Sequence, residues 1–228
     1  MTVSRQIQKI LERKDVFIGE GVILEGDVEI GHNVEIWHRC IIGFSAECKR
    51  SKLRIVEVKK GGPDVVTLGS RTKVHPYVII HKGTKIGSDV CISEYSTIGQ
   101  GTTIGDGTVI EYGAKIYDRV RIGRESIVAG FCCNDSKIGN CTTMMGHLVH
   151  EYPKRMCAKE WNETNERPRA PQIEDNVVIG YNAIIIGDVT VGRGSYIGAG
   201  AIITKNVPRD TKKIMKIDFR SSSISREI

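Results

Sequence analysis

The chain predicts an all-β solenoid, and three features of its spacing carry that prediction. Twenty-four aliphatic residues recur at six-residue steps in four runs, Ile18 to Ile42, Leu68 to Val128, Ile138 to Met144 and Ile173 to Ile203. Four residues after the aliphatic stands a compact side chain, as at Thr72, Val78, Thr84, Val90, Ser96 and Thr102. Gly often follows the aliphatic directly, as at Gly69, Gly87, Gly99 and Gly105. Self-similarity at a short fixed period marks a fold in which each turn stacks on the one before. One large and one small residue per hexad suit short strands wound as a narrow prism, with the large side chain on the axis and the small one near a corner. Gly supplies the backbone freedom a sharp corner needs.

Each segment then has a place. Residues 1–15 carry Ile7, Ile10 and Leu11 among charges, which predicts a short capping helix. That segment has no long apolar stretch and reads as neither a signal peptide nor a membrane span. The solenoid is expected over 16–208, at three hexads per coil about eight coils and on the order of 40 Å long. Two insertions interrupt it. The first, 44–67, has Leu53, Ile55, Val56 and Val58 ahead of Gly61-Gly62-Pro63 and reads as an extruded hairpin. It also bunches Lys49, Arg50, Lys52, Arg54, Lys59 and Lys60, a charge run that either steers a phosphate-bearing ligand or is a solvated loop. The second, 150–172, holds Tyr152, Lys154, Arg155, Trp161, Arg167 and Arg169 between prolines. A loop of that length without clear periodicity is either functional or disordered. A four-residue slip at Asn134 to Lys137 separates the second run from the third, and 209–228 is expected to be a tail.

The net charge of +6 is modest and aromatic residues do not interleave with the basic cluster, so nucleic acid is not an expected partner. Seven cysteines, an odd number with no CxxC pair, point to a reduced, cytoplasmic setting. Cys40 and Cys132 fall on the small-residue beat and read as core filler. Tyr77 and Tyr95, eighteen apart, should stack as a ladder. His75 and His81 directly follow beat residues and could form a second polar patch or be ordinary surface histidines.

The hexad pattern resembles the hexapeptide-repeat, left-handed parallel β-helix family, over roughly two thirds of the chain; the handedness comes from that resemblance. A sharper likeness starts at Gly146-His147-Leu148-Val149-His150, followed by a long loop and by Ile173, Val177, Ile179, Gly180, Asn182 and Ala183. That order resembles the sugar O-acetyltransferases, and it maps their general base onto His147, with His150 beside it and Asn134, Asp135 and Trp161 as candidates for binding the acceptor. The ending Gly198-Ala199-Gly200-Ala201, then Thr204-Lys205-Asn206-Val207-Pro208, resembles the coenzyme A segment of such enzymes. By that likeness Gly180, Ala183, Gly198, Ala199, Gly200 and Lys205 would contact acetyl-CoA. The run Val66-Thr67-Leu68-Gly69 on to Ile80-His81-Lys82-Gly83-Thr84 is similar to the UDP-N-acetylglucosamine acyltransferases. The chain lacks the Gly-x-Pro-Ala tail common in the acetyltransferases.

The resemblance implies an acetyl-CoA-dependent acetyltransferase acting on a hydroxyl or amino group of a sugar, free or nucleotide-linked, as a homotrimer with sites between subunits. Acyl transfer from a thioester needs a base for the acceptor proton and donors for the oxyanion, and imidazole suits the first task. If the slip is wholly extruded, Glu125 lies one coil beneath His147 and could orient its ring; otherwise it is an exposed corner residue. Two other readings stay open. A metal enzyme similar to γ-class carbonic anhydrases would need three histidines, two of them five apart, whereas the close pairs here are six and three apart. A non-catalytic trimeric scaffold is the other, since fold does not fix function. No metal is expected under the leading reading.

Overall fold

The computed structural model describes residues 5–45, 64–152 and 169–214. The basic cluster of the first insertion and Trp161 in the second lie outside them.

Among the described residues, twenty-seven strands of two to four residues form three parallel sheets of ten, nine and eight strands, called faces A, B and C below. Successive strands pass from one face to the next, so each pairs with the strand one coil away, as Cys91↔Val109 and Thr97↔Lys115 show. The result is a parallel β-helix of about nine turns. The beat residues point to the axis: Ile36, Ile42, Ile80, Ile92, Ile98 and Ile110 are fully buried. Each such side chain contributes about 1.5–3 kcal/mol of burial.

The corner between faces has four residues, and each has its own task. The Gly after the beat residue is there for close approach. A Cβ on Gly105 would meet the Arg124 nitrogen at 2.5 Å, and one on Gly123 the Asn140 nitrogen at 2.6 Å. Neither glycine has a positive φ. The left-handed conformation expected of Gly instead falls two residues later, on Arg71 (φ 61), Asp89 (φ 59) and Glu125 (φ 53). The fourth residue turns inward, and where it is Thr or Ser its hydroxyl ties two coils together. Thr72 donates to the Gly87 carbonyl at 2.8 Å, Thr102 to Tyr117 at 2.9 Å and Thr108 to Gly123 at 2.8 Å. Buried hydroxyls are tolerated here because they are satisfied.

Two corners break the rule, and they are not where the spacing placed the slip. Cys132 and Leu148 are fully buried axial residues, each four positions after the previous one, Val128 and Met144. The corners between them shrink to Ala129-Gly130 and Met145-Gly146, both on the edge from face A to face B, on successive coils. Asn134 to Ser136 belong to an ordinary corner and Lys137 to a strand of face C, so nothing is extruded there. Cys132 is core, as expected, but on the axial beat, not the small-residue one.

At the amino end, helix α1 (Arg5–Leu11) follows the expected cap, and Ile10 joins the core at 7 % exposure. The Arg13 guanidinium anchors it by donating to the Ile30 and Gly31 carbonyls at 2.6 and 2.8 Å. At the other end, Lys212–Lys213 still pairs with Tyr196–Ile197, so the coil runs past the boundary expected at 208. Strands Ile41–Phe44 and Val66–Leu68 likewise take residues expected in the first insertion. Among the described residues no helix is long and apolar enough to cross a membrane.

Candidate functional site

His147 opens strand His147–Val149 on face B, with Leu148 turned to the axis and His147 half-buried on the outer surface. Its strand neighbours are Phe131 beneath and Ile184 above. The register overturns the expected pairing with Glu125, which sits on the C-to-A corner and accepts from the Cys141 thiol at 3.5 Å. The cause is the contraction at Met145-Gly146, which takes two residues out of this coil: the neighbour beneath His147 comes sixteen residues earlier, at Phe131. No hydrogen bond to the His147 ring is formed among the described residues.

The backbone around His147 joins it to the expected cofactor segment. Its N–H donates to the Ala183 carbonyl at 2.8 Å. Ala183 closes the corner that Gly180 opens, and Gly198, Ala199 and Gly200 form the same A-to-B corner one coil further on. Gly200 (φ 69) takes the left-handed position, and its N–H donates to the Tyr181 carbonyl at 2.9 Å. Beneath them lie the two shortened corners. A continuous edge therefore runs from Ala129 past His147 to Gly200, built of Gly and Ala except at Met145, Tyr181 and Asn182, with Tyr181 67 % exposed. Lys205 is exposed but stands on the next corner, between faces B and C, apart from that edge.

The other expected residues are held in structural roles. The Asn134 side-chain oxygen accepts from the Asp118 N–H at 3.0 Å, capping the coil below. Asp135 takes both Nε and a terminal nitrogen of Arg119 at 2.8 Å, and its carboxylate pushes the guanidinium pKa up. His150 lies with its Nδ1 3.4 Å from the Arg169 carbonyl and its ring 6.1 Å from that of Tyr152, at the mouth of the second insertion. His75 and His81 do not form one patch. His75 bonds Glu94 at 3.1 Å on the A-to-B corner, and that carboxyl is held below its usual range by Glu94's own backbone N–H first and by His75 second. His81 faces Phe44 at 5.3 Å and lines a 270 Å³ cavity with Thr97, Gln100, Lys115, Tyr117 and Asp118 on face B. Sequence reasoning missed that cavity, whose only signal was polar outward residues on consecutive strands of one face. The Tyr77–Tyr95 ladder is present, centroids 5.1 Å apart and planes within 2°. The described cysteines are free, and burial pushes the Cys133 thiol up to about 11. Among the described residues no three His, Cys, Asp or Glu side chains converge as metal ligands.

Comparison with known proteins bears on the repeat. The family described as bacterial transferase hexapeptide (six repeats) matches residues 66–100 and 170–205. The chain carries hexapeptide repeats of the bacterial transferase type. This hexapeptide-repeat chain is 30% identical over 198 residues to the bifunctional protein GlmU of Acinetobacter baumannii, covering 85% of the chain and 36% of that protein. It is 28% identical over 222 residues to GlmU of Wigglesworthia glossinidia brevipalpis, covering 94% of the chain and 39% of that protein. It thus spans a little over a third of the length of these curated relatives. Among solved structures, the UDP-N-acetylglucosamine acyltransferase of Francisella novicida has the same fold, with a TM-score of 0.51 at 16% identity over 86% of this chain and 66% of that one.

Proposed function

We propose that the chain is an acetyl-CoA-dependent acetyltransferase that acylates a hydroxyl or amino group of a sugar, free or nucleotide-linked, with His147 as general base. The observation that carries this is the bond from the His147 N–H to the Ala183 carbonyl, which links the candidate base to the edge of Gly180, Ala183 and Gly198 to Gly200. The transferase repeat, and the fold shared with an enzyme whose name gives acyl transfer to a nucleotide sugar, support the same reading.

In this mechanism the His147 imidazole removes the proton from the acceptor as its oxygen or nitrogen attacks the thioester carbonyl. The tetrahedral oxyanion is met by backbone N–H groups and collapses with cleavage of the C–S bond. The imidazolium then returns its proton to the departing coenzyme A thiolate. The Gly and Ala positions of that edge let an extended donor lie against the backbone, where a larger side chain would hold it off, with Tyr181 projecting beside it. Glu125, Asn134 and Asp135 are engaged elsewhere, so acceptor contacts fall to His150, the second insertion with Trp161, and a neighbouring subunit. Lys205 would reach the donor only from the adjacent corner. The proposed setting is cytoplasmic.

Homotrimer assembly belongs to the same reading and is supported by the outward residues of each face. Face A presents Val109, Ile127, Val178 and Tyr196, and face B presents Phe131, Ile184 and Ile202, with Ile202 at 62 % exposure. Face C presents Glu29, Thr67, Lys85, Thr103, Arg121, Lys137, Gln172 and Thr190, and nothing apolar among the described residues. Apolar strips of this kind mark association surfaces. The test is coenzyme A release from acetyl-CoA across amino-sugars and nucleotide-sugars, with acetyl-CoA binding followed by calorimetry. His147→Ala is expected to cost about 10²–10⁴ in turnover while leaving acetyl-CoA binding intact. Absence of acetyl-CoA binding to the wild-type protein would sink the proposal.

A further inference from the structure

The edge where faces C and A meet lies apart from His147 and has a charge arrangement that the fold does not require. A cavity of about 580 Å³ opens along it, lined by Arg121, Lys137, Asn140, Arg193 and Arg209 with the carboxylates of Glu174 and Asp175. The two carboxylates are already used. Asp175 pairs with Arg193 at 3.3 Å and accepts from the Asn140 N–H at 2.8 Å, while Glu174 pairs with Arg209 at 3.4 Å and accepts from the Arg193 N–H at 2.9 Å.

Arg121 and Lys137 are left over. They stand directly opposite each other on neighbouring parallel strands of face C, about 5 Å apart by strand spacing. Neither side chain forms an ion pair or hydrogen bond among the described residues. Like charges directly opposite across strands destabilise a sheet. Outward positions on this face accept Thr at 67, 103 and 190 without cost to the core, so nothing in the coil demands two cations here. An anion placed between them would remove the repulsion and be gripped by a planar guanidinium fork and a point charge. A phosphate group, with several oxygens to share, fits that pair better than a single carboxylate.

We infer that the cavity at Arg121 and Lys137 binds the phosphate group of a phosphate-bearing small molecule. Two sources carry that chemistry, the phosphates of a coenzyme A thioester and those of a nucleotide, and they can be told apart once the site is shown. The inference does not rest on the acetyltransferase reading, since its probe is neither donor nor acceptor.

Inorganic pyrophosphate is titrated by calorimetry, at low ionic strength, into the full chain, into Arg121→Gln/Lys137→Gln and into Lys85→Gln. Lys85 shares face C two coils away but does not line the cavity. The double variant should bind pyrophosphate at least about tenfold more weakly, Lys85→Gln about as well as wild type. The double variant should also melt no lower than wild type, since it loses a repulsion, so loss of binding is separable from loss of fold. Competition with coenzyme A, dephospho-coenzyme A and UDP then identifies the source. Displacement by coenzyme A but not its dephospho form assigns the 3′-phosphate, displacement by UDP assigns a nucleotide, and displacement by neither assigns free phosphate. No saturable binding to wild type, or an equal loss in Lys85→Gln, overturns the inference.

Discussion

Replacing Gly146 by Ala tests the claim that the shortened edge positions His147. Gly146 fills the contracted corner just before the histidine, and its φ is not positive, so an added methyl meets no backbone penalty of its own. It meets the coil above. A Cβ there would overlap the Ala183 carbonyl oxygen and lie 3.2 Å from Ile179 Cγ2. That carbonyl is the acceptor of the His147 N–H at 2.8 Å, so the coil cannot yield without losing the bond. Overpacking costs about 1–3 kcal/mol and the lost hydrogen bond about 0.5–1.5 kcal/mol. Together they amount to about 1.5–4.5 kcal/mol, or on the order of 3–18 °C in melting temperature for a chain of this size. The control is Gly113→Ala, on the full-length corner of the same edge, where φ is +65 and a Cβ meets nothing within 4 Å. Its cost is the left-handed strain alone, about 1 kcal/mol. Thermal melts of the two variants decide the matter. If Gly146→Ala melts within a degree or two of Gly113→Ala, the close approach of the coils at this edge is not the constraint argued here.

Two further outcomes follow from the coil-to-coil ties. Thr102→Val keeps the shape of a buried corner but leaves the Tyr117 carbonyl without its 2.9 Å donor, and should cost about 1 kcal/mol in denaturant unfolding; an unchanged midpoint would remove the hydroxyl tie from the account. Asp15 is held below the usual carboxylate range by the Arg13 guanidinium first and by His32 second. A depressed folded pKa makes that contribution complete above about pH 4 and lost as pH falls further. Asp15→Asn should therefore melt below wild type at pH 7, by a gap that narrows as pH falls below about 4, and a gap that does not narrow on acidification would show that the carboxylate charge is not what anchors the cap.

The fold was legible because each hexad states the same steric requirement locally. Ile80 fills the axis, Thr84 fits inside the corner and Gly87 admits the next coil, and no long-range information is needed to read them. The second shift of phase was not legible. Ten residues separate Val128 from Ile138, and they can be divided as six then four or as four then six. Asn134 to Lys137 took the irregularity because continuing the six-residue beat from Val128 leaves those four residues over before Ile138. In the structure the first three of them belong to a regular corner, with Asn134 capping Asp118 and Asp135 gripping Arg119. The true contraction, Ala129-Gly130, left only a cysteine at an axial position as its sign.

Counting that shift as four extruded residues, and missing the contraction at Met145-Gly146, moved the expected partner of His147 from Phe131 to Glu125, which shows why a site on a solenoid is harder to read than its fold. An orienting carboxylate can be found by arithmetic only while every coil keeps its eighteen residues. The motif around His147 survives the error because it is contiguous in sequence, and so do Gly198, Ala199 and Gly200. What links them is the repeated loss of two residues at one edge, in coils that follow each other. A single short corner could be a tolerated deletion. Two in succession, placed under a third corner that begins with Gly180 and ends with Ala183 and a fourth built of Gly and Ala, draw in the same edge beside one histidine. That coincidence is what the proposed donor site rests on, and Gly146→Ala is the smallest change that would disturb it.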